Sequence, residues 1–439
     1  MFKYFPHTPE DIQSMLDTIG VSSLDDLFAG IDLDLRKVKE FDLPSAQSEY
    51  EVRQTIKNLA NHNQTFVSFL GAGSYDPFTP SVVPALTSRQ EFLTSYTPYQ
   101  AEISQGTLQY IFEFQSMMAE LTGMDVANAS MYDGATAAAE AMFMACAHTK
   151  RSKILLSESL HPRTIEVIKT YAKYRGLIVQ MIKSTYQGLD MASLKAAMNQ
   201  DVAGLMVGYP NYFGYLESYE SLSSMLLDNK SLLIFQSDPS SLALFKTPRA
   251  WGADIVCGEA QSLGIAPSFG GPYLGYLATT KALMRKMPGR ICGMSKDIDG
   301  KRAFVLTLQA REQHIRREKA NSNICSNQSL MALSAVIYMS IMGKKGMEAV
   351  AKRAYDNAHY LEKALIATGR FYLVSSLPHH KEFVLRYDGD LSLLQSKWQA
   401  HGFLGGLNLD QHHCLFCAHE TRSKDEMDRL VKVVGDIHG

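Results

Sequence analysis

The feature that most limits the fold of this chain is an alternation of helical and strand patterns between residues 103 and 282. Short apolar runs are separated by stretches whose apolar residues recur with helical periodicity. Helices alternating with short buried strands favour an α/β domain around a mainly parallel sheet, because parallel neighbours need a crossover connection. The predicted strands are Lys153–Leu156, Leu177–Ile182, Gly204–Val207, Leu232–Phe235 and Asp254–Cys257, and the predicted helices are Leu108–Leu121, Ala135–Ala147, Thr164–Tyr174 and Leu222–Leu227.

Other patterns flank this region. Before it, Thr8 and Pro9 form a helix start, and a second helix is predicted from about Ser48 to Asn61. After it, long helices at Ser329–Met342 and Met347–Thr368 mix with strands at Phe371–Val374 and Glu382–Tyr387, and a capping box at Ser423 opens a last helix. We therefore predict a helical N-terminal arm (1–65), a large α/β domain (66–310) and a smaller C-terminal α+β domain (311–439).

Composition narrows the function classes. The 439 residues carry a formal net charge of -2, which argues against a nucleic-acid or membrane-surface protein. No apolar run approaches the length of a membrane span, and the N-terminus does not resemble a secretory signal. Six cysteines in so long a chain do not form a disulfide framework. We expect a cytoplasmic protein with reduced thiols.

A helix start and a strand end carry groups that could bind a ligand. Gly134, Ala135 and Thr136 begin an alanine-rich helix, and free backbone amides at a helix N-terminus favour an anion. Alternatively, Asp133 simply caps an ordinary helix there. Asp238 follows the apolar strand that ends near Phe235, where an acid could hold a protonated ring nitrogen. Alternatively, Asp-Pro forms a turn.

Taken together, these positions resemble a pyridoxal-phosphate enzyme of fold type I, the aspartate-aminotransferase type. In that fold, Gly134, Ala135 and Thr136 would face the cofactor phosphate and Asp238 the pyridine nitrogen. The cofactor lysine would lie shortly before the glycine-rich turn Phe269–Gly271, where the equivalent residue is Gln261, and residues 247–280 contain no lysine. An amide does not form the Schiff base that this chemistry needs.

Two other motifs invite functional interpretations. The charge run Ala310–Lys319 is typical of a solvated, ion-paired helix face, although guanidinium and amide clusters also bind carboxylates and join subunits. The run His412–Cys417 suggests zinc, but a structural zinc site needs a second ligand pair that the sequence does not offer. Its alternation fits a strand better, and we expect no metal site.

Longer stretches make the resemblance more specific. They resemble subunit 1 of the glycine-cleavage-system P-protein family, the glycine dehydrogenases (decarboxylating), over essentially the whole chain. The stretches are Thr97–Gly106, Met131–Ala137, Thr307–Ala320 and Asn323–Gln328.

The resemblance implies a division of labour between two chains. Subunit 2 would share the fold and bear the lysine with its pyridoxal phosphate, and this chain would be a copy without it. Glycine would lose carbon dioxide on the partner's cofactor, and the aminomethyl group would pass to the lipoyl arm of the H-protein. This chain would add interface and wall residues to a shared site, for which the candidates are Tyr99, Gln105, Arg311, His314 and Arg316.

Two alternatives stay open. The chain could be a stand-alone pyridoxal-phosphate enzyme that uses Lys246 or Lys281, the lysines nearest to the expected position. It could also be a purely structural pseudo-enzyme that stabilises subunit 2 without touching substrate.

Overall fold

A computed structural model describes residues 4, 6–36, 42–311, 313–320 and 322–436. The chain divides into two compact units, Met1–Thr65 and Phe66–Gly439. The boundary predicted at residues 310/311 falls inside the second unit and stays a prediction. Glu312 and Asn321, which belong to the charge run and the amide-rich segment after it, lie outside the described residues.

The first unit is helical where it is described. The Thr8 hydroxyl accepts the N–H of Asp11, whose carboxylate accepts the N–H of Thr8, so a capping box begins the first helix at its predicted start. Gly20 ends that helix with φ +83°, a left-handed conformation that glycine adopts without a steric penalty. The helices are α1 (Pro9–Ile19), α2 (Leu33–Arg36) and α3 (Glu49–Ala60).

The second unit is built around a mainly parallel sheet, as predicted. Its first strands are β1 (Val67–Ser68), β2 (Val126–Ala127), β3 (Lys153–Ser157), β4 (Ile178–Ile182), β5 (Ser184–Thr185), β6 (Gly188–Leu189), β7 (Val202–Tyr209), β8 (Leu232–Ser237), β9 (Ile255–Glu259) and β10 (Gly275–Thr279). Among the described residues the central sheet has seven strands in the order β2-β10-β9-β8-β7-β3-β4. Strands β4, β3, β7, β8 and β9 run parallel to one another. Strand β10 runs antiparallel to β9.

The remaining strands form smaller sheets. They are β11 (Ile291–Lys296), β12 (Arg302–Thr307), β13 (Phe371–Leu373), β14 (Glu382–Tyr387), β15 (Phe403–Leu404), β16 (Leu407–Asn408) and β17 (His413–Cys417). Strands β11 and β12 form an antiparallel hairpin that the sequence patterns did not predict. Strands β13, β14, β17 and β16 form an antiparallel sheet in the C-terminal part.

The second unit contains the helices predicted from the sequence, close to their predicted positions, and several others that the sequence patterns did not predict. They are α4 (Val82–Thr87), α5 (Gln90–Leu93), α6 (Gln105–Thr122), α7 (Gly134–Thr149), α8 (Pro162–Tyr174), α9 (Met191–Ala197), α10 (Glu220–Asp228), α11 (Gln313–Arg316), α12 (Ser329–Ala367), α13 (Leu391–Ala400) and α14 (Lys424–Asp436). The two helices predicted between 329 and 368 meet at Gly343, whose backbone is not helical (φ +56°, ψ -179°), and we number them together as α12. None of the helices in the described part of the chain is long and apolar enough to cross a membrane.

Helices cover both faces of the central sheet. Leu155 of β3 contributes to a core shared with α6 and α12, whereas Ile154 and Leu156 contribute to a core shared with α7 and α8. This alternation follows from the pleat, which points successive side chains to opposite faces. A third core, which includes Trp398, lies under the C-terminal sheet.

The start of α7 lies directly against the end of β9. A Cβ atom added at Gly134 would lie 2.7 Å from the backbone nitrogen of Glu259 and 2.9 Å from the carbonyl carbon of Gly258. Gly106, in the first turn of α6, has nothing within 4 Å of its own added Cβ. Of these two positions, packing therefore requires a glycine at Gly134 but not at Gly106.

We expect Gly134→Ala to lower the free energy of unfolding by about 1–3 kcal/mol, because helix and strand must separate to admit the methyl group. The matched variant Gly106→Ala should be neutral or raise it by up to about 1 kcal/mol, since alanine restricts the unfolded chain. Urea denaturation of the two variants tests this. Equal midpoints would show that the contact between α7 and β9 is not tight.

Candidate functional site

A cavity of about 340 Å³ opens at the carboxyl ends of the parallel strands, and we call it the first cavity. Strand β8 ends at Ser237 and β9 at Glu259, and both residues line it. Helices α7 and α8 begin beside it with Gly134 and His161. Ligands of open α/β sheets bind at this edge, so the first cavity is where the sequence placed a cofactor pocket.

Two carboxylates occupy the N-terminus of α7. Asp133 Oδ1 accepts the N–H of Thr136 at 2.8 Å, so the capping alternative is realised. The N–H of Gly134 donates to Glu259 Oε2 at 2.9 Å. The other oxygen of Glu259 accepts the N–H groups of Leu274 at 2.8 Å and Gln261 at 3.2 Å. The anion that this helix end favours is thus supplied by the chain itself.

The Glu259 carboxyl group is mostly buried, and this affects its titration. Burial raises the pKa of Glu259 to about 7, and the charge of Asp133 acts in the same direction. The N–H groups of Leu274 and Gly134 oppose the shift because they favour the ionised form. Glu259 therefore exchanges its proton close to neutral pH.

Asp238 lines the first cavity but is already paired. Its Oδ2 lies 2.6 Å from Nζ of Lys381, and its Oδ1 accepts the hydroxyl of Ser262. Burial would raise the pKa of Asp238, but the ammonium of Lys381 holds it below its usual value. Burial likewise opposes the charge on Lys381, but Asp238 raises its pKa above the usual value. Lys381 is therefore held as an ammonium ion, which is not a nucleophile.

Gln261 is fully buried and makes structural hydrogen bonds. Its Oε1 accepts the N–H of Tyr75 at 3.0 Å, and its Nε2 donates to the carbonyl oxygen of Tyr75 at 2.8 Å. Nε2 also donates to the carbonyl oxygen of Ile265. The amide thus holds the segment that contains Tyr75 through both backbone groups of that residue.

That segment, residues 71–76, forms one wall of the first cavity. Glu382 accepts the N–H of Ala72 at 2.6 Å and the hydroxyl of Tyr75 at 2.9 Å. Nζ of Lys381 lies 3.4 Å from the centroid of the Tyr75 ring. His161, with Nε2 3.0 Å from the carbonyl oxygen of Ala72, holds the same segment from the start of α8.

The structure sorts the sequence candidates for a cofactor site. Gly134, Ala135 and Asp238 line the first cavity, whereas Thr136 lines a neighbouring cavity with Glu140.

The two lysines weighed for a stand-alone enzyme lie elsewhere. Lys246 is exposed, with Nζ 3.6 Å from the ring centroid of Trp251, and Lys281 is exposed at the start of a 3₁₀ segment. Among the described residues the lysine that lines the first cavity is Lys381.

A second cavity, of about 430 Å³, brings together some of the proposed wall residues. Tyr99 is 55% exposed, its ring centroid lies 5.8 Å from that of His314, and the guanidinium carbon of Arg290 lies 5.5 Å from it. Further polar groups in the lining come from Gln313, Arg317 and Glu318. Two guanidinium groups beside an exposed aromatic ring suit an anionic ligand with an apolar part.

The side chains of the other proposed wall residues form hydrogen bonds with backbone groups elsewhere in this chain. Gln105 donates to the carbonyl oxygen of Phe304 at 2.8 Å and accepts its N–H at 2.8 Å, which fixes β12 to the start of α6. Arg311 donates to the carbonyl oxygens of Met287, Gly289 and Leu308. Arg316 donates to the carbonyl oxygen of Ala310 at 3.1 Å.

The His412–Cys417 run lies on β17, as its alternation predicted. Cys414 and Cys417 are fully buried, and His413 Nδ1 lies 2.8 Å from Asp410. No cluster of three or more histidine, cysteine, aspartate or glutamate side chains suited to a metal occurs within the residues described.

Comparison with known proteins decides the family. The sequence profile of the glycine cleavage system P-protein matches residues 2–434. Probable glycine dehydrogenase (decarboxylating) subunit 1 of Anoxybacillus flavithermus is 47% identical over 100% of both chains, and that of Listeria monocytogenes serotype 4a is 46% identical over 98% of both. This chain belongs to the glycine cleavage system P-protein family.

Solved structures agree. A crystal structure of glycine decarboxylase (P-protein) of the glycine cleavage system, in inhibitor-bound form, matches with a TM-score of 0.88 at 37% identity, covering 99% of this chain and 100% of that one. Lactobacillus brevis glutamate decarboxylase matches at 11% identity with a TM-score of 0.67, over 92% of this chain and 97% of that one, which reflects the shared fold. The predicted fold class, pyridoxal-phosphate-dependent fold type I, is confirmed.

The residues of the first cavity do not fit the cofactor of this fold. Gln261 stands where the sequence predicts the lysine, the Glu259 carboxylate accepts the N–H of Gly134 at the predicted phosphate position, and Asp238 is paired with Lys381. Each of the three predicted recognition points for the cofactor is therefore engaged by a side chain of this P-protein-family member.

Sequence reasoning missed the side chains that produce this misfit. Glu259 stands two residues before Gln261 and is an acid at a strand end, a local signal that could have been read. Lys381 and Glu382 are distant in sequence, and no local pattern connects them with Asp238. Arg290 likewise joins Tyr99 only through the hairpin of β11 and β12.

The titration of Glu259 gives a pH prediction. Burial raises its pKa from 4.5 to about 7, so the folded state binds this proton more tightly than the unfolded chain. The resulting stability is present below the unfolded value and is lost as pH rises through about 7. Between pH 4.5 and about 7, the free energy of unfolding of the wild type should therefore fall by about 3 kcal/mol relative to that of Glu259→Gln.

Urea denaturation over this pH range measures the difference. Asp410→Asn is an opposite-sign control: burial works against the charge on Asp410, but the N–H of His412 and the ring of His413 lower its pKa overall. Its carboxylate stabilises the fold above its unfolded pKa, and that contribution is lost in acid. Parallel curves for wild type and Glu259→Gln would contradict the assignment.

Proposed function

We propose that this chain is subunit 1 of a glycine dehydrogenase (decarboxylating) that acts only with a homologous subunit 2. Relatives named as subunit 1 match it over its full length, which supports an enzyme divided between two chains. Pyridoxal phosphate is proposed to lie on subunit 2, and the lipoyl H-protein is the proposed second partner. We place the complex in the cytoplasm, in keeping with six cysteines that form no disulfide.

The observation that carries this proposal is the environment of Gln261. Both polar atoms of its amide bond to the backbone of Tyr75, and the side chain is fully buried. A residue held in this way neither forms a Schiff base nor moves aside easily for a nearby lysine. The chain keeps the fold of the family, but the lysine that the chemistry needs must come from another chain.

The proposed reaction follows from the family. Glycine is decarboxylated on the partner's cofactor, and the aminomethyl group is transferred to the lipoyl arm of the H-protein. This chain is proposed to bind and orient rather than to transfer protons or electrons. Its role is then to complete the wall of a site that the partner begins.

The second cavity is the part of this chain best suited to that wall. Tyr99 and His314 both belong to stretches that resemble the family most specifically, and both line this cavity. Arg290 and Arg317 add positive charge that can bind a carboxylate. Gln105, Arg311 and Arg316 are proposed to support this wall through their backbone hydrogen bonds.

Borohydride reduction locates the cofactor. The purified chain and the complex with subunit 2 are each treated with pyridoxal phosphate and borohydride, and intact mass and peptide mapping follow. We expect no stoichiometric adduct on the isolated chain and one adduct on subunit 2 in the complex. A single adduct on Lys246, Lys281 or Lys381 of this chain would make it an enzyme in its own right.

We expect Tyr99→Ala to reduce kcat/KM of the complex by about tenfold to a hundredfold, because a misplaced wall group disturbs substrate orientation. The complex should still elute intact from a sizing column. The matched control is Tyr372→Ala, which removes a 41% exposed tyrosine of β13 that lines neither cavity. Turnover should be unchanged in the control.

The same pair of variants tests the structural alternative. If Tyr99→Ala leaves turnover unchanged while the complex stays intact, the chain is a scaffold that stabilises subunit 2. Loss of the complex in Tyr99→Ala alone would instead assign this residue to the subunit interface.

A further inference from the structure

The charged groups of the first cavity are arranged around positions that a cofactor would use in this fold. A carboxylate of the chain lies at the N-terminus of α7, and an ammonium ion of the chain lies against Asp238. The carboxylate, from Glu259, accepts the N–H of Gln261, which holds the segment 71–76. The ammonium, from Lys381, lies against the ring of Tyr75 in that segment. At each end of the cavity, the group that would bind the cofactor is thus already paired with a charged side chain of the chain itself.

We propose that Glu259 and Lys381 replace the cofactor phosphate and ring nitrogen, and that the first cavity anchors the segment 71–76 instead of binding pyridoxal phosphate. This goes beyond the proposed function, since a subunit that lacks the lysine could still bind the cofactor without a covalent bond. It assigns a role to a pocket that catalysis on the partner does not use.

The anion end supports the first replacement. Three backbone N–H groups, those of Gly134, Leu274 and Gln261, point at the oxygens of Glu259. A phosphate at the same helix end would meet Glu259 and the capping carboxylate of Asp133. Like charges a few ångströms apart repel strongly at a buried site. The helix N-terminus is therefore closed to a phosphate ester while Glu259 is ionised.

The cation end supports the second replacement. Nζ of Lys381 lies 2.6 Å from Asp238 Oδ2 and 3.4 Å from the centroid of the Tyr75 ring. The ammonium is thus held by an anion and an aromatic face at once, and it is almost fully buried. A pyridinium nitrogen would have to displace Lys381 from Asp238 and leave a buried charge without its partner.

The anchored segment gives these replacements a purpose. Residues 71–76 bond through Ala72 and Tyr75 to Glu382, Gln261 and His161. They precede residues 77–98, which include α4 and α5 and lead to Tyr99, the proposed wall residue. A closed first cavity would therefore fix the beginning of the stretch that supplies the wall of the shared site.

Phosphate binding tests the anion end. Inorganic phosphate and pyridoxal phosphate are titrated calorimetrically into the full chain at about pH 8, where Glu259 is ionised. Wild type should show no saturable binding, and Glu259→Ala should gain phosphate affinity by about tenfold or more as the repulsion is removed. The matched control is Asp254→Ala, which removes another partly buried carboxylate that accepts a strand N–H, at the other end of β9.

The wild-type titration decides the matter even if Glu259→Ala fails to fold. Saturable binding of pyridoxal phosphate to wild type, with phosphate competing and the Tm rising, would overturn the proposal. Such binding would leave the proposed function intact, because borohydride reports covalent attachment and turnover reports the shared site. Equal phosphate affinity in wild type and Glu259→Ala would also refute the replacement.

Proteolysis tests the cation end. Lys381→Met should increase chymotryptic cleavage after Tyr75, because the ring loses its cation and Asp238 loses its partner. The control is Lys424→Met, which removes a lysine that also pairs with a carboxylate (Asp428, 2.6 Å) and an aromatic ring (Tyr360, 5.0 Å), but on the surface. Cleavage after Tyr75 at the wild-type rate in Lys381→Met would overturn the anchoring role.

Discussion

The contact between the first turn of α7 and the last residue of β9 is the constraint on which the site depends. Because Gly134 has no side chain, the helix approaches the strand closely enough for its N–H to reach Glu259. The carboxylate then adds the N–H groups of Leu274 and Gln261. The single carboxylate of Glu259, at the end of β9, thus accepts N–H groups from the start of α7, from Leu274 and from Gln261.

A second set of charges links distant parts of the chain. Lys381 and Glu382 lie at the start of β14 in the C-terminal sheet, yet both reach the cavity at the edge of the central sheet. Their partners are Asp238 and the segment around Tyr75. Buried ion pairs of this kind add little net stability but strongly favour one arrangement over others. These contacts therefore fix the C-terminal sheet to the central sheet at the first cavity.

Much of the fold could be predicted from local patterns, and the exceptions have physical causes. The parallel strands and their helices were found because each buries a periodic apolar face. Strand β10 and the β11–β12 hairpin were missed because their glycine-rich and mixed sequences carry weak periodicity. The two helices predicted between 329 and 368 are separated by a non-helical Gly343, so the predicted break is confirmed.

The site was less predictable than the fold. Gly134 and Ala135 were found because they begin a helix, whose free N–H groups favour an anion, and Asp238 because it follows a strand end, where ligands of this architecture bind. Gln105 and Arg311 were chosen for their side-chain chemistry, but their polar atoms bond to backbone groups that no local pattern reveals.

The burial of Gln261 has a consequence for how such a chain can change over time. A lysine at this position would lose the amide bonds to Tyr75 and would enter a cavity where Glu259 and Lys381 already hold the positions around it. Because the three side chains share partners, we expect the effects of substituting them not to be additive. If Gln261 stands at the predicted lysine position, a single change to lysine would cost the amide its hydrogen bonds and leave Glu259 and Lys381 in place, so a return to independent catalysis would need several changes together.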